Sequence, residues 1–94
     1  MIRHVVCFKL KKGESAEKAA DVLRSMLGRV PEIEDMEVGV DLLGSERSYD
    51  VILRVDVKDE CALESYQKND YHCSVVKPYM HAARESSVSV DYRV

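Results

Sequence analysis

His4 is the residue whose surroundings are most unusual for its chemistry. It lies in the opening stretch, residues 1–10, where it alternates with Ile2, Val6 and Phe8 on one side of an extended strand. Imidazole has a reference pKa of about 6.5, so it can accept or donate a proton near neutral pH. A neutral core histidine with one hydrogen bond is the structural alternative. His4 is therefore a candidate acid–base residue.

The other histidines and the cysteines do not form a metal or nucleophile motif. His72 and Cys73 are neighbours and His81 follows nine positions after His72, so no pair has the i,i+4 helical spacing of a metal site. Cys7, Cys61 and Cys73 are odd in number and far apart, which is typical of reduced thiols in a cytoplasm. We expect no metal, no cofactor and a cytoplasmic location.

Length and composition predict one globular domain over residues 1–94. Hydrophobic residues make up 46% and charged residues 33% of the chain. The net charge of −3 and the scattered Lys and Arg residues argue against a nucleic-acid partner. No apolar run approaches the roughly 20 residues that a membrane span requires. We therefore expect neither a nucleic acid nor a membrane as a partner.

An amphipathic helix follows the first strand. Ser15 is a plausible cap for a helix that begins at Ala16. Gly28 weakens its last turn and Pro31 ends it. Apolar residues at steps of three and four define one continuous face of this helix: Ala19, Val22, Leu23, Met26, Leu27 and Val30.

Three further strands are predicted by alternation of apolar and polar residues. Residues 36–42 and 49–57 alternate in this way and are joined by a turn at Gly44, which predicts a hairpin. The pattern leaves the pairing register of the two strands open. Residues 87–92 alternate again, with Val88, Val90 and Tyr92 as the apolar set, and make the last strand.

A second helical region lies between the third and last strands. Asp59 can cap a helix, and Asn69-Asp70 is the expected break. A further helical run contains Pro78, where we expect a kink or an irregular turn. The apolar residues of the two runs are Ala62, Leu63 and Tyr66, then Val75, Val76, Tyr79, Met80 and Ala83.

This order of elements predicts an α+β, ferredoxin-like βαββαβ fold with a four-stranded antiparallel sheet and its helices on one face. In that topology the first strand is central. The alternation assigns a mixture of apolar and charged residues to the uncovered face: Val5, Cys7, Ile52, Arg3, Lys9, Asp50, Arg54, Asp56, Ser89 and Asp91. Such a face suits either solvent or a second copy of the chain.

Four segments together resemble the stress-responsive A/B barrel (Dabb) family. They are Ile2-Arg3-His4-Val5-Val6 with Phe8-Lys9-Leu10-Lys11, then Tyr49-Asp50, the segment from Tyr66 to His72, and Val88-Ser89-Val90-Asp91-Tyr92. The resemblance covers nearly the whole chain. It implies a homodimer in which the sheets face each other and form a dimeric α/β barrel with the helices outside.

The resemblance also implies a site between the helices and the sheet. One plant branch of the family, similar in the same places, consists of polyketide cyclases that close a poly-β-keto chain by aldol condensation. Its two histidines and tyrosine match His4, His72 and Tyr66, which implies His72 as the base, His4 as the orienting or acid partner and Tyr66 as a hydrogen-bond donor. We expect the substrate-binding lining to comprise Val6, Phe8, Leu23, Met26, Tyr71, Val76 and Tyr79.

Two departures from that branch leave the function open. Asn69-Asp70-Tyr71 replaces its His-Pro-Ala, and its helix-one tyrosine falls near Leu23 or Met26, which cannot donate a hydrogen bond. One hypothesis is a stress-associated homodimer that binds a small apolar or aromatic molecule without chemistry. A second is a polyketide-cyclase-like enzyme with metal-free acid–base chemistry. A third, by fold analogy only, is a cofactor-free monooxygenase-like barrel.

Overall fold

A four-stranded antiparallel sheet with the strand order β2-β3-β1-β4 is the frame of the protein. The strands are β1 (Ile2–Leu10), β2 (Asp35–Val40), β3 (Val51–Val57) and β4 (Arg84–Arg93). The computed structural model describes residues 1–94. Because β1 pairs with both β3 and β4, it is central, and the predicted ferredoxin-like fold is confirmed.

Three α-helices and one π-helical turn cover a single face of the sheet. They are α1 (Ala16–Arg24), α2 (Glu60–Lys68), the π-helical turn (His72–Val76) and α3 (Lys77–Ala83). Both predicted caps are present: Ser15 Oγ accepts from the Lys18 amide at 3.1 Å, and Asp59 Oδ1 accepts from the Ala62 amide at 2.8 Å. None of the helices has the length and apolar character that crossing a membrane requires.

α1 is shorter than predicted. Its α-helical bonding ends at Arg24, and the Met26 and Leu27 amides bond to carbonyls only three residues back. Ser25 Oγ donates to the Val22 carbonyl at 2.5 Å, a local bond that competes with continuation of the helix. The prediction that Leu27 lies on the apolar face is therefore wrong, because this turn leaves Leu27 exposed.

Asn69 separates α2 from the next helical stretch, as predicted. The ψ angle of Asn69 lies in the extended region, which ends the helix. The Asn69 Oδ1 accepts a hydrogen bond from the His72 amide at 3.1 Å and so caps the helical segment that follows. The irregularity expected near Pro78 is the π-helical turn, whose last bond runs from the Lys77 amide to the His72 carbonyl. Pro78 is the second residue of α3 and follows directly on the π-helical turn, so the irregular bonding occurs next to the residue that lacks an amide.

The two faces of β4 are the reverse of the prediction. The register sets Asp91 opposite His4 and Val90 opposite Val5. Ser89 and Asp91 therefore lie on the helix side, and the apolar residues Val88, Val90 and Tyr92 lie on the uncovered side. Val90 is 62% exposed in the protomer. The alternation was correct, but the apolar half of this strand does not face the helices.

The predicted end of the second strand is also wrong. β2 ends at Val40, and Leu42 lies in the 41–50 connection, where it is 96% exposed. The hairpin between β2 and β3 is nevertheless antiparallel, with Val38 opposite Leu53.

A carboxylate group is buried on the uncovered face of the sheet. Asp56 accepts bonds from Arg3 Nε at 2.9 Å and from Arg54 at 2.7 Å. The Arg3 guanidinium is the main cause that holds the pKa of Asp56 below its ordinary value, and Arg54 adds to it. Arg54 also bonds to Asp35 of β2 at 3.1 Å, so the charged side chains at this end of the face form ion pairs with one another.

The position of Pro78 leads to a testable expectation. We expect Pro78→Ala to change the free energy of unfolding by less than about 1 kcal/mol, because the π-helical turn before Pro78 already accommodates a residue that lacks an amide. Ala20→Pro, in the middle of α1, should cost about 3 kcal/mol or more. Urea unfolding measures both. A gain of about 3 kcal/mol in Pro78→Ala would instead mean that the proline strains the helix.

Candidate active site

A cavity of about 260 Å³ lies between the sheet and the helical layer. The apolar part of its lining consists of Val6, Phe8, Leu23, Leu53, Val76 and Met80. The polar part consists of His4, Tyr66, Gln67, His72, Lys77, His81, Arg84, Ser87 and Ser89. β1 and β4 form its floor, and the π-helical turn with α3 forms much of its wall. It has the mixed apolar and polar lining of a small-molecule site.

His4 is held by a carboxylate from the neighbouring strand. Its Nδ1 lies 2.5 Å from Asp91 Oδ1, a short contact between directly opposed residues of β1 and β4. An ionised carboxylate only accepts, so Nδ1 carries the proton in this pair. That leaves Nε2, which makes no hydrogen bond within the protein, as the free lone pair of a cavity-lining residue.

Tyr66 packs between the two histidines. It is fully buried on the helix side of the sheet, with its ring centroid 5.7 Å from that of His4 and 4.6 Å from that of His72. Its hydroxyl is directed at Met26 Sδ, 3.8 Å away. Burial, followed by the charge of Asp91, raises the pKa of Tyr66 above its ordinary value. The tyrosine is therefore neutral at physiological pH.

His72 is a buried histidine with an unmet hydrogen-bonding capacity. Its Nδ1 is buried and has no hydrogen-bond partner. The pKa of His72 is lowered to about 4, mainly by burial and then by the charges of Lys77 and His4. A hydrogen bond with the Gln67 carbonyl partly offsets this by raising the pKa. His72 is therefore neutral at pH 7, and its buried Nδ1 is left without a hydrogen-bond partner.

The structure brings together the three residues expected to do chemistry, but only part of the expected lining. Val6, Phe8, Leu23 and Val76 line the cavity. The lining does not include Met26, Tyr71 or Tyr79. Met26 lies under the Tyr66 hydroxyl. The Tyr71 hydroxyl bonds to Ser25 Oγ at 2.6 Å, and the Tyr79 ring lies 5.8 Å from Lys18 Nζ. The roles of all these residues stay predictions.

Asp91 is the functional candidate that the sequence pattern missed. The apolar residues around it suggested that its own side chain faced away from the helices. The signal that could have found it is pairing: in an antiparallel ferredoxin-like sheet the first and last strands are neighbours, so an acid on one can meet His4 on the other. The pattern also missed Lys77, at the junction of the π-helical turn and α3, and Arg84 and Ser87, at the start of β4.

The arrangement combines two imidazoles in different states within one cavity. One imidazole is oriented by a carboxylate and has a free lone pair, and the other is desolvated and neutral. The oriented imidazole with its free lone pair suits the transfer of a proton to and from a small molecule. No group of three or more histidine, cysteine, aspartate or glutamate side chains is placed to hold a metal ion.

Comparison with known proteins places the chain in a family and a fold. Residues 2–94 match the model of the Dabb family, the stress responsive A/B barrel domain. None of the curated protein sequences matches the chain.

Three solved structures illustrate the fold. A dimeric ferredoxin-like protein of unknown function from Thermobifida fusca is similar at 21% identity and a TM-score of 0.85, covering 99% of this chain and 90% of its own. A second dimeric protein with this fold, from Bacteroides fragilis, has 21% identity, a TM-score of 0.79 and coverage of 99% and 95%. A hydroxynitrile lyase from Passiflora edulis has 16% identity, a TM-score of 0.79 and coverage of 99% and 92%. At these identities the likeness shows the fold alone.

The depressed pKa of His72 predicts how stability depends on pH. A group whose pKa is lower in the folded chain binds fewer protons there, so stability falls as pH drops from about 6.5, its unfolded value, to about 4. Over this interval we expect the free energy of unfolding of His72→Gln to fall by on the order of 2 kcal/mol less than that of the wild type. Urea unfolding at the two ends of the interval, at equal protein concentration, measures it.

His81→Gln is the matched control, since His81 is exposed on α3. It should keep the pH dependence of the wild type. Equal losses in His72→Gln and the wild type would contradict the desolvation of His72.

Proposed function

The chain belongs to the stress responsive A/B barrel domain family, and for this member we propose acid–base chemistry on a small carbonyl compound. The reaction class is an aldol-type ring closure or an isomerisation that begins with removal of a proton next to a carbonyl group. The catalytic residue is His4, oriented by Asp91. The contact between His4 Nδ1 and Asp91 Oδ1 is the single observation that carries this proposal.

The contact supports catalysis because it does more than satisfy a core histidine. A carboxylate on Nδ1 selects the tautomer whose Nε2 is a lone pair and stabilises the imidazolium formed when Nε2 takes a proton. Asp91 itself is partly open to solvent, with its side chain 40% exposed, and His4 lines the cavity. A histidine needed only for packing requires neither a charged partner nor a cavity beside it.

The reaction balances with His4 alone as the proton carrier. Nε2 takes a proton from a carbon next to a carbonyl, and the electron pair of that C–H bond forms an enolate. In an aldol closure the enolate carbon bonds to a second carbonyl carbon of the same molecule, whose oxygen becomes an alkoxide. The alkoxide takes the proton back from His4, so the residue is regenerated and no co-reactant is needed.

The proposal gives His72 and Tyr66 different roles from those implied by the resemblance. A histidine whose pKa is about 4 is a weak base and its Nδ1 is buried, so we assign His72 as a neutral part of the cavity wall that takes no part in proton transfer. The Tyr66 hydroxyl is engaged with Met26 Sδ, so we assign Tyr66 as a positioning residue that holds both imidazole rings by packing.

Binding without chemistry is the second candidate function. The wall from α1 contributes Leu23 to the cavity, which offers no hydrogen bond to a substrate. A small apolar or aromatic molecule would fit the volume of about 260 Å³ with this lining. The monooxygenase-like alternative has only the fold in its favour.

Ring closure of heptane-2,6-dione tests the chemistry. This neutral diketone closes to a hydroxyketone that loses water to give 3-methylcyclohex-2-enone, which is followed by its ultraviolet absorbance. We expect the wild type to accelerate closure, and His4→Gln and Asp91→Asn to reduce the rate by roughly 100-fold, because each removes the oriented base.

Asp70→Asn is the matched control, since Asp70 is exposed and does not line the cavity. It should retain the wild-type rate. If binding of the diketone is detected but its closure is no faster than in buffer, the second candidate, binding without chemistry, takes the place of the first.

We further propose that two protomers pair through the uncovered sheet face. The relatives from Thermobifida fusca and Bacteroides fragilis are described as dimeric. In this chain the uncovered face presents a row of exposed apolar side chains on β4, Val88, Val90 and Tyr92, and β3 adds the exposed Ile52 on the far side of β1. Covering such a row is the physical reason to expect association, and two facing sheets form the dimeric α/β barrel.

Val90→Asp tests this interface. Val90 is 62% exposed in the protomer, so the substitution should leave the protomer folded and place a carboxylate in the interface. We expect a folded monomer by analytical ultracentrifugation and circular dichroism. Leu27→Asp, at an exposed apolar position on the helix side, should remain dimeric. A Val90→Asp dimer as tight as the wild type would exclude this face.

A further inference from the structure

We propose that the molecule bound in the cavity is an elongated organic acid, whose carboxylate is recognised by Arg84 while its apolar body extends toward His4. This inference rests on the proposed function, since it names the substrate class of the same site. It goes beyond that function because the acid–base residues alone do not demand a charged substrate.

The charge of the cavity lining is opposite to that of the chain. The sequence has 17 acidic and 14 basic residues, yet no Asp or Glu lines the cavity. Lys77 and Arg84 line it, together with all three histidines. The nearest carboxylate, that of Asp91, is already bonded to His4. A cavity lined by cations and uncharged groups attracts an anion.

Neither cation is neutralised by the protein. The salt bridges of the structure pair other residues, and Arg84 and Lys77 take part in none of them. Arg84 donates to Ser87 Oγ at 3.3 Å, and Lys77 Nζ donates to the Gln67 carbonyl at 3.3 Å. Both partners are neutral oxygens, so both charges remain available. The charge of Lys77 also reaches into the cavity, since it contributes to the lowered pKa of His72.

Arg84 is the better candidate for direct recognition of a carboxylate. Its planar guanidinium can bond both oxygens of a carboxylate at once, whereas an ammonium group acts as a point charge. Arg84 lies opposite Leu10 at the start of β4 and donates to Ser87 Oγ, and both residues line the cavity. Lys77 adds to the positive potential from the wall formed by the π-helical turn and α3.

The positions along β4 give the length of the ligand. Ser87 lies opposite Phe8, and Asp91 lies opposite His4. Four residues of a strand span roughly 13 Å, so the carboxylate end and the reacting end of the ligand are separated by up to about that distance. Val6 and Phe8 line the cavity between the two ends. This distance indicates an acid with a chain or ring of several carbons between its carboxylate and its reacting carbonyl.

Binding of 4-phenylbutyrate and of its neutral amide, 4-phenylbutanamide, tests the inference. The two probes have the same apolar body and differ in charge. Amide chemical shifts at cavity residues give the dissociation constant of each. We expect the acid to bind roughly 10-fold more tightly than the amide at low ionic strength, and the preference to shrink as salt is added.

Variants separate Arg84 from general charge effects. Arg84→Gln should abolish the preference for the acid, and Arg84→Lys should retain part of it, which also controls for changes in folding. Lys12→Gln, which removes the same charge at an exposed position outside the cavity, should keep the full preference.

Two outcomes would overturn the inference. Equal binding of the acid and the amide at the cavity would refute an anionic ligand and leave the small-molecule site intact. Absence of shifts at the cavity with either probe would also refute it. The neutral diketone assay would then still report on the acid–base chemistry, because that assay does not depend on Arg84.

Discussion

The antiparallel register between β1 and β4 is the constraint on which the rest of the structure depends. It sets His4 opposite Asp91 and Val5 opposite Val90. Successive side chains of a strand point to opposite faces, so a slip of one residue would exchange every side chain of β4 between them. The carboxylate would then leave the cavity, and Val88, Val90 and Tyr92 would enter it. The candidate catalytic pair and the proposed interface therefore depend on the same set of backbone hydrogen bonds.

The two site histidines are both buried and lie close to the same tyrosine, but they differ in their hydrogen-bond partners. His4 has a carboxylate partner that orients its ring. His72 has no partner at its buried Nδ1, and its pKa is lowered to about 4. Tyr66 separates them, because this large buried ring packs against both imidazoles. Two residues of one type can thus have distinct roles without a metal or a charged ligand between them.

The sequence was sufficient to predict the elements and much of the site, and it failed where long-range pairing decides. His4, Tyr66 and His72 were expected together and meet at one cavity, and Val6, Phe8, Leu23 and Val76 line it as expected. Asp91 was assigned to the wrong face, because the usual inference that the apolar half of a strand faces the core does not hold for β4. If the uncovered face is an interface, the apolar half of β4 is covered by the partner and not by the helices, and hydropathy alone does not distinguish these two cases.

Local rules failed in a second way, where side chains altered a helix. The apolar period of α1 continues to Val30, but a hydroxyl bond from Ser25 ends the α-helix at Arg24. Pro78 predicted an irregular turn correctly, yet its position did not predict a π-helical turn that places Val76 and Lys77 at the cavity. Such features depend on competition between bonds of similar free energy, about 1 kcal/mol each, which a residue pattern does not resolve.

β4 connects assembly and chemistry through alternate residues of one strand. Val90 points to the uncovered face and Asp91 to His4, so their backbones are adjacent and share the pairing with β1. A partner sheet packed over Val88, Val90 and Tyr92 would restrain that part of β4, which lies at the edge of the sheet and is otherwise held from one side only. Because the short contact between His4 and Asp91 needs both strands in place, association of two protomers would order the base.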